Sequence, residues 1–215
     1  MTNKSEYLNA FYTPIIANRI ILKQSEYDAI NKIILKLEQE NWINQQPSQV
    51  IEEGVYESPH SFFQREEPEI NNIARQITSK VIDVVCKLNN YTNLQKSKLL
   101  TYVASWFHVT RKNGFVQPHN HPNASWSAVC CTDEGIVDIN QTKTSLVLMN
   151  PNPIPMYMDA GNANINLPLA SDTIRFHLKV GDLIIFPSNI MHFVTPHLSS
   201  NERITIAANF WFNIK

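Results

Sequence analysis

Two histidines stand one residue apart in the segment QPHNHPN, in a chain that contains only seven histidines. Successive side chains of a β-strand point to opposite faces, so His119 and His121 share one face if this segment is extended. Pro118 and Pro122 favour such a backbone. Neutral imidazoles bind iron, zinc, copper or nickel. The spacing therefore predicts part of a metal site, although an HxH pair in a loop is also common as plain polar surface.

A third histidine follows in the segment VGDLIIFPSNIMHFVTPH. This segment combines a turn at Gly181 and Asp182, an apolar strand, and His192 in a second short extended piece. We predict His192 as the third ligand, because three imidazoles on one side of a metal leave the opposite positions open for substrate and oxygen. The alternative is a core histidine that donates to a backbone carbonyl.

An arginine near the start of the last strand, RITIAANFWF, predicts an anion site. The strand is apolar on both faces, so it is covered on both sides and Arg203 faces the interior or its mouth. An unpaired guanidinium is costly there, whereas a carboxylate can accept two hydrogen bonds from it. Thr205 lies on the same face and adds a hydroxyl. Together they predict a receptor for one end of a small dicarboxylic acid, unless Arg203 pairs with Glu202 or another acid at the surface.

Two amphipathic helices and a series of short strands must position these residues. The apolar spacing predicts one helix from an N-cap at Ser25 to about Asn41, and another from Pro68 to about Leu88. From Thr101 the chain changes to short β-branched and aromatic runs, which are typical of a sandwich or barrel. We expect a single domain over residues 1–215, with a helical support region over 1–100 and the β-core over 101–215.

The segment from Asn150 to Asp172 is too long and too rich in proline and asparagine for a tight hairpin. Long loops inside compact domains are usually functional or mobile. We expect a substrate lid that carries Met156, Tyr157 and Met158, with a disordered excursion as the alternative.

Composition narrows the class of protein. A net charge of −1 and a pI near 6.6 argue against a nucleic-acid partner. Three cysteines without framework spacing suit a reducing compartment. The sequence shows neither a signal peptide nor an apolar run long enough to span a bilayer. We therefore expect a soluble cytoplasmic protein, in which the N-terminal helices cover the sheet or a second subunit of a homodimer.

The segments QPHNH, GDLIIFPSNIMH and RIT, in this order, resemble the Fe(II)- and 2-oxoglutarate-dependent oxygenases, particularly the prolyl 4-hydroxylase-like branch and a group with an HxHP motif. The likeness covers nearly the whole chain, and Arg203 follows His192 by the eleven residues that suit the pattern. The resemblance implies a mainly β double-stranded β-helix (a cupin-like jelly roll), with His119 and His192 as iron ligands. It also implies Arg203 and Thr205 at the C5 carboxylate of 2-oxoglutarate. The implied reaction, a hydroxylation of an unidentified prime substrate, couples oxidation by dioxygen to decarboxylation of 2-oxoglutarate to succinate.

The chain departs from the family pattern at His121, which stands where an acid is usual. This residue completes a three-histidine iron site, or else the iron keeps two protein ligands and an open position. Asp133, Glu134 or Asp138 is the alternative source of a third ligand, but none has the i+2 spacing, so we favour His121.

Alternation in TYVASWFHV places Trp106 and His108 on one face. We predict that His108 and Gln117 contact the co-substrate, whereas Trp106 is either a pocket residue or core. Trp126, Ser127 and Asn209 are weaker candidates. The rival interpretations are a cupin-type metal-dependent dioxygenase or isomerase, and a non-catalytic metal-binding jelly roll. A cupin would want a glutamate soon after HxH and would leave Arg203 without a role.

Overall fold

The computed structural model describes residues 12–45, 48–135, 143–152, 160 and 172–215. These residues form two antiparallel sheets that face each other, with helices on the outer side of the larger one. The larger sheet has six strands, in the spatial order β1 (Ile16–Arg19), β8 (Asp182–Pro187), β5 (Trp126–Asp133), β10 (Arg203–Ile214), β3 (Leu99–Thr110) and β2 (Val55–Glu57). The smaller sheet has four, in the order β4 (Val116–His119), β9 (His192–Val194), β6 (Leu146–Met149) and β7 (Thr173–Phe176). The predicted double-stranded β-helix is confirmed.

Two long helices precede most of the strands, as the apolar spacing predicted. Helix α1 spans Gln24–Gln39, α2 spans Pro68–Leu88, and a short α3 spans Asn93–Ser97, with a 3-10 turn at Phe62–Gln64. Ser25 is not the N-cap of α1. The N-cap is Lys23, two residues earlier, and the Glu26 carboxylate accepts a 2.9 Å hydrogen bond from the backbone N–H of Lys23.

The N-terminal region is not only helical, because β1 and β2 form the two edges of the larger sheet. Strand β1 pairs with β8, and β2 pairs with β3. Both strands therefore tie the region before residue 100 directly to the β-core. The division of the chain at residue 100 stays a prediction.

The two faces of β10 contact different parts of the protein. Ile204, Ile206 and Phe210 join the apolar cluster that includes Ile34 of α1 and Ile73 of α2. Arg203, Thr205, Ala207 and Asn209 alternate with them and line the space between the sheets. Because helices cover one face and the smaller sheet covers the other, the predicted two-sided burial of this strand is correct.

Two further observations concern membrane-spanning helices and the predicted lid. Within the described residues, no helix is long and apolar enough to cross a membrane. The predicted lid residues Met156, Tyr157 and Met158 lie outside the described residues, so the lid stays a prediction.

Candidate metal and co-substrate site

The three predicted histidines converge between the sheets. His119 ends β4 and is the cross-strand partner of His192, which begins β9. His121 lies two residues beyond β4, where its backbone N–H donates a 2.8 Å hydrogen bond to the carbonyl of Ser188. One potential ligand atom from each imidazole lies within 4.8 Å of the other two. This geometry allows all three side chains to contact a single ion.

Backbone carbonyls orient two of these rings. The Nδ1 of His119 donates to the carbonyl of Gln117 at 2.8 Å, and the Nδ1 of His192 donates to the carbonyl of Ile190 at 2.9 Å. A carbonyl only accepts, so the proton sits on Nδ1 and the lone pair of Nε2 is available to a metal. Among the described residues, the His121 ring has no such hydrogen-bonding partner.

Burial keeps the cluster uncharged at neutral pH. Desolvation lowers the pKa of His192 to about 3 and that of His121 to about 4, and it also lowers the pKa of His119. Protons therefore compete weakly for these nitrogens near pH 7. Three neutral imidazoles are the form that coordinates a divalent metal.

The acids considered as substitutes for His121 do not join the cluster. Asp133 accepts a hydrogen bond from the Gly135 N–H at 2.9 Å, and Glu134 accepts one from the Val180 N–H at 3.3 Å. Asp138 lies outside the described residues. In the part of the chain that the structure describes, the histidines are the one group of three or more such side chains arranged to hold an ion.

Arg203 and Thr205 lie in the same pocket as the three histidines. Arg203 is 3% exposed, and its Nη2 atom is buried without a hydrogen-bonding partner in the described part of the chain. The surface pair considered as an alternative does not form, because Glu202 lies 3.7 Å from Arg111 instead. A guanidinium group with such an Nη2 atom, beside a hydroxyl, fits the carboxylate of a dicarboxylic acid, as 2-oxoglutarate requires.

The other predicted contacts divide into two groups. His108 and Trp106 line the pocket, and so do Ser127 and Asn209, which are joined by a 2.7 Å hydrogen bond. Gln117 does not line it, and its exposed side chain donates to Glu52.

A β-bulge explains why the Gln117 side chain lies outside the pocket. The register of β4 against β9 shifts between Val116 and His119, so both of these residues face inward and the alternation from His119 back to Gln117 is broken. Only the backbone carbonyl of Gln117 serves the site, as the acceptor for His119.

Sequence reasoning missed Glu57, the last residue of β2. Its carboxylate is buried and lies 3.1 Å from the Nε2 of His108. A three-residue edge strand that is 51 positions away from its partner carries no local signal that would have identified it.

The core of the chain matches a known family. Residues 104–209 match the family described as "Putative 2OG-Fe(II) oxygenase", and this range contains the three histidines together with Arg203 and Thr205. No curated protein matches the chain.

Several solved structures have a similar fold, among them two prolyl hydroxylases and one protein with 2-oxoglutarate bound. A prolyl-4-hydroxylase from Pseudomonas putida is 13% identical, with a TM-score of 0.57 and 94% of each chain covered. A prolyl hydroxylase from Trichoplax adhaerens, in complex with a hypoxia inducible factor oxygen degradation domain peptide fragment, is 15% identical, with a TM-score of 0.58 and coverage of 92% of this chain and 83% of that one. HygX from Streptomyces hygroscopicus, with nickel, 2-oxoglutarate and hygromycin B bound, is 12% identical, with a TM-score of 0.56 and coverage of 92% and 82%. At these identities the likeness shows the fold.

The fold and the histidine cluster define a jelly-roll protein with a metal-binding pocket between its sheets. The chain belongs to the 2-oxoglutarate- and Fe(II)-dependent oxygenase family, and it is an oxidoreductase that uses Fe(II), 2-oxoglutarate and dioxygen. The predicted family, cofactors and class of reaction are confirmed, and the oxygenase interpretation prevails over the cupin and non-catalytic ones.

Proposed function

We propose that this oxygenase is a hydroxylase in which His119, His121 and His192 hold Fe(II), while Arg203 and Thr205 hold the C5 carboxylate of 2-oxoglutarate. The observation that carries the proposal is the buried, unpartnered Nη2 of Arg203 in the pocket that also contains the imidazole cluster. A buried cation without an anion is unfavourable, so the site is built to receive one.

The protein contributes orientation to this chemistry. Bound Fe(II) and 2-oxoglutarate supply the oxidising power, by coupling the reduction of dioxygen to the formation of succinate and carbon dioxide. The carbonyls behind His119 and His192 accept from Nδ1 and so leave the Nε2 lone pairs of both rings available, and these atoms would hold the metal. Arg203 and Thr205, in the same pocket as the three histidines, would bind the far carboxylate of the co-substrate.

The walls of the pocket limit access by water. Val129, Leu146, Phe186 and Val194 surround the polar groups; Leu146 and Phe186 are almost fully buried, and the two valines are partly buried. An apolar lining strengthens the attraction between Arg203 and a carboxylate, because no bulk water screens it. It also protects a reactive centre from side reactions.

His121 is proposed as the third ligand in place of the usual acid. Its support is its position in the cluster, which contains three histidines and no carboxylate among the described residues. Three neutral ligands leave the iron with one more unit of net positive charge than a set with one carboxylate does. We expect this charge to raise its effective Lewis acidity.

The test is an anaerobic titration. Protein loaded with Fe(II) is mixed with 2-oxoglutarate, and the weak visible charge-transfer band of the chelate is followed. The same titration with Zn(II) is the control, and it should give no band. If iron binds and the band does not form, the proposal is wrong and a metal-binding jelly roll without this activity is favoured.

The remaining expectations join the proposal with narrower support. Helices α1 and α2 share one apolar cluster with the larger sheet, which supports a single domain over residues 1–215. The free thiols of Cys86, Cys130 and Cys131 support a reducing, cytoplasmic location. A homodimer is also proposed, with a sedimentation measurement as its test.

A further inference from the structure

Glu57 is a buried carboxylate, and its partners in the described part of the chain are histidines and neutral side chains. It is 5% exposed, and within the described residues no Lys or Arg nitrogen forms an ion pair with it. Its partners are the Nε2 of His108 at 3.1 Å, the Nδ2 of Asn44 at 3.0 Å, the Oγ of Ser48 at 3.1 Å and the Nε2 of His60 at 3.7 Å. Acids are rarely buried so completely unless they are paired, so this arrangement needs a reason.

The carboxylate is ionised despite its burial. Desolvation raises the pKa of Glu57, but hydrogen bonds from His108, His60 and Asn44 outweigh it and hold the pKa well below its usual range. An ionised carboxylate only accepts hydrogen bonds, so the Nε2 of His108 carries the proton between the two groups.

Glu57, His108 and Thr205 lie side by side on three neighbouring strands of the larger sheet. Glu57 in β2 is the cross-strand partner of His108 in β3, and His108 is the partner of Thr205 in β10. Directly opposed residues share one face and lie side by side. His108 therefore stands between a buried carboxylate and the residues proposed to hold the C5 carboxylate of 2-oxoglutarate.

We infer that Glu57 is a positioning residue for co-substrate binding: it fixes the imidazole of His108 through Nε2, so that Nδ1 is presented to the carboxylate of 2-oxoglutarate beside Thr205. The inference rests on the proposed function of the Arg203 site. In this arrangement Nε2 donates to Glu57 and Nδ1, on the other side of the ring, donates to the carboxylate of 2-oxoglutarate. His108 then adds a third donor to those of Arg203 and Thr205.

A purely structural role for Glu57 predicts something different. Its bonds to Asn44 and Ser48 tie the segment before β2 to the sheet, so its loss would lower stability without acting through His108. A double-mutant cycle separates the two roles, because residues that act through one another have non-additive effects.

The experiment compares Glu57→Gln, His108→Ala and the double variant. The dissociation constant for 2-oxoglutarate is measured on anaerobic Fe(II)-loaded protein from the charge-transfer band, and on Zn(II)-loaded protein by calorimetry. We expect each single variant to weaken 2-oxoglutarate binding by about tenfold, and the double variant to be no weaker than His108→Ala alone. Fe(II) affinity should change much less. Glu38→Gln is the matched control, since this carboxylate pairs with Arg111 outside the pocket.

Two outcomes overturn the inference alone: the effects of Glu57→Gln and His108→Ala add up in the double variant, or Glu57→Gln leaves 2-oxoglutarate binding unchanged. If Glu57→Gln does not fold, His108→Gln replaces it, because an amide still donates to Glu57 but lacks Nδ1. About tenfold weaker binding is then expected, and unchanged binding overturns the inference. If the unaltered protein binds iron but no 2-oxoglutarate, the proposed function itself fails and the inference falls with it.

Discussion

Replacing Arg203 with Met should have opposite effects on the free protein and on its complex with 2-oxoglutarate. In the free protein the guanidinium is 3% exposed, its Nη2 lacks a partner, and burial lowers its pKa. Methionine has a similar length and no charge to desolvate. We therefore expect Arg203→Met to raise the free energy of unfolding of the ligand-free protein.

The size of each effect follows from the same buried group. An unsatisfied buried donor costs about 1–3 kcal/mol, so the ligand-free variant should gain stability of this order. Removing one partner of a buried charge pair costs about 2–5 kcal/mol of binding free energy, which is roughly a 30- to 4,000-fold rise in the Kd for 2-oxoglutarate.

Denaturant unfolding with and without 2-oxoglutarate measures both effects at once. At a concentration 100 times its Kd, 2-oxoglutarate stabilises the unaltered protein by about 2.7 kcal/mol. At the same concentration it should stabilise Arg203→Met by less than about 1 kcal/mol, since the Kd rises at least about 30-fold. Both proteins are loaded with Zn(II), so that no turnover occurs.

The matched control is Arg111→Met. Arg111 is 44% exposed and pairs with Glu38, so its replacement should change stability by less than about 1 kcal/mol and leave co-substrate binding intact. The reasoning is refuted if Arg203→Met destabilises the ligand-free protein and still binds 2-oxoglutarate as tightly as the unaltered protein. Arg203 would then be a structural residue.

Three further changes test other parts of the molecule. His121→Asp should retain Fe(II), whereas His121→Ala should weaken Fe(II) binding by more than about 100-fold, the upper end for groups that only support a ligand; calorimetry under argon measures both. Burial lowers the pKa of His197, whose Nε2 donates to the carbonyl of Asn201 at 2.8 Å, so below about pH 6.5 the unfolded chain binds a proton that the folded chain refuses. Stability should therefore fall as the pH drops from 7 towards 5, with up to about 1.4 kcal/mol per pH unit from this residue, and urea unfolding of His197→Gln should show a flatter profile. Gly181→Ala should lower stability by at least about 1 kcal/mol in thermal unfolding, because φ is +87° and the new Cβ would lie 2.8 Å from the carbonyl oxygen of Ile20.

Each of these changes has its own contrary result. Unchanged Fe(II) binding by His121→Ala would rule out the three-histidine site. Arg203 lowers and Asp133 raises the pKa of His197 through their charges. If the stability of His197→Gln depends on pH as steeply as that of the unaltered protein, the pH dependence comes from groups other than His197. The control for Gly181→Ala is Lys179→Ala in the same turn. The side chain of Lys179 is exposed, so its removal should not change the backbone conformation. Equal stability of the two variants would contradict the steric argument.

Local patterns were enough to predict the elements whose burial is periodic. Helix α2 spans the residues that its apolar spacing indicated, and β10 is buried on both faces as its composition required. In both cases the signal repeats within one segment, so neighbouring residues alone carry it.

The errors occurred where a feature depends on a partner strand. Gln117 was assigned to the pocket by simple alternation, and a bulge opposite β9 turned its side chain to the surface. Glu57 was not identified, since its importance comes from its pairing with His108, 51 positions further along the chain.

By itself, the sequence determined the types and the order of the functional groups: an HxH pair, a later histidine, and an arginine with a threonine at the start of a buried strand. Only the tertiary structure decided that His121, and neither Asp133 nor Glu134, reaches the cluster, and that Arg203 forms no ion pair with an acid among the described residues. The physical reason is the register between strands that are far apart in the sequence. Register decides which side chains face the same cavity, and a shift of one residue moves a side chain from the pocket to the opposite face.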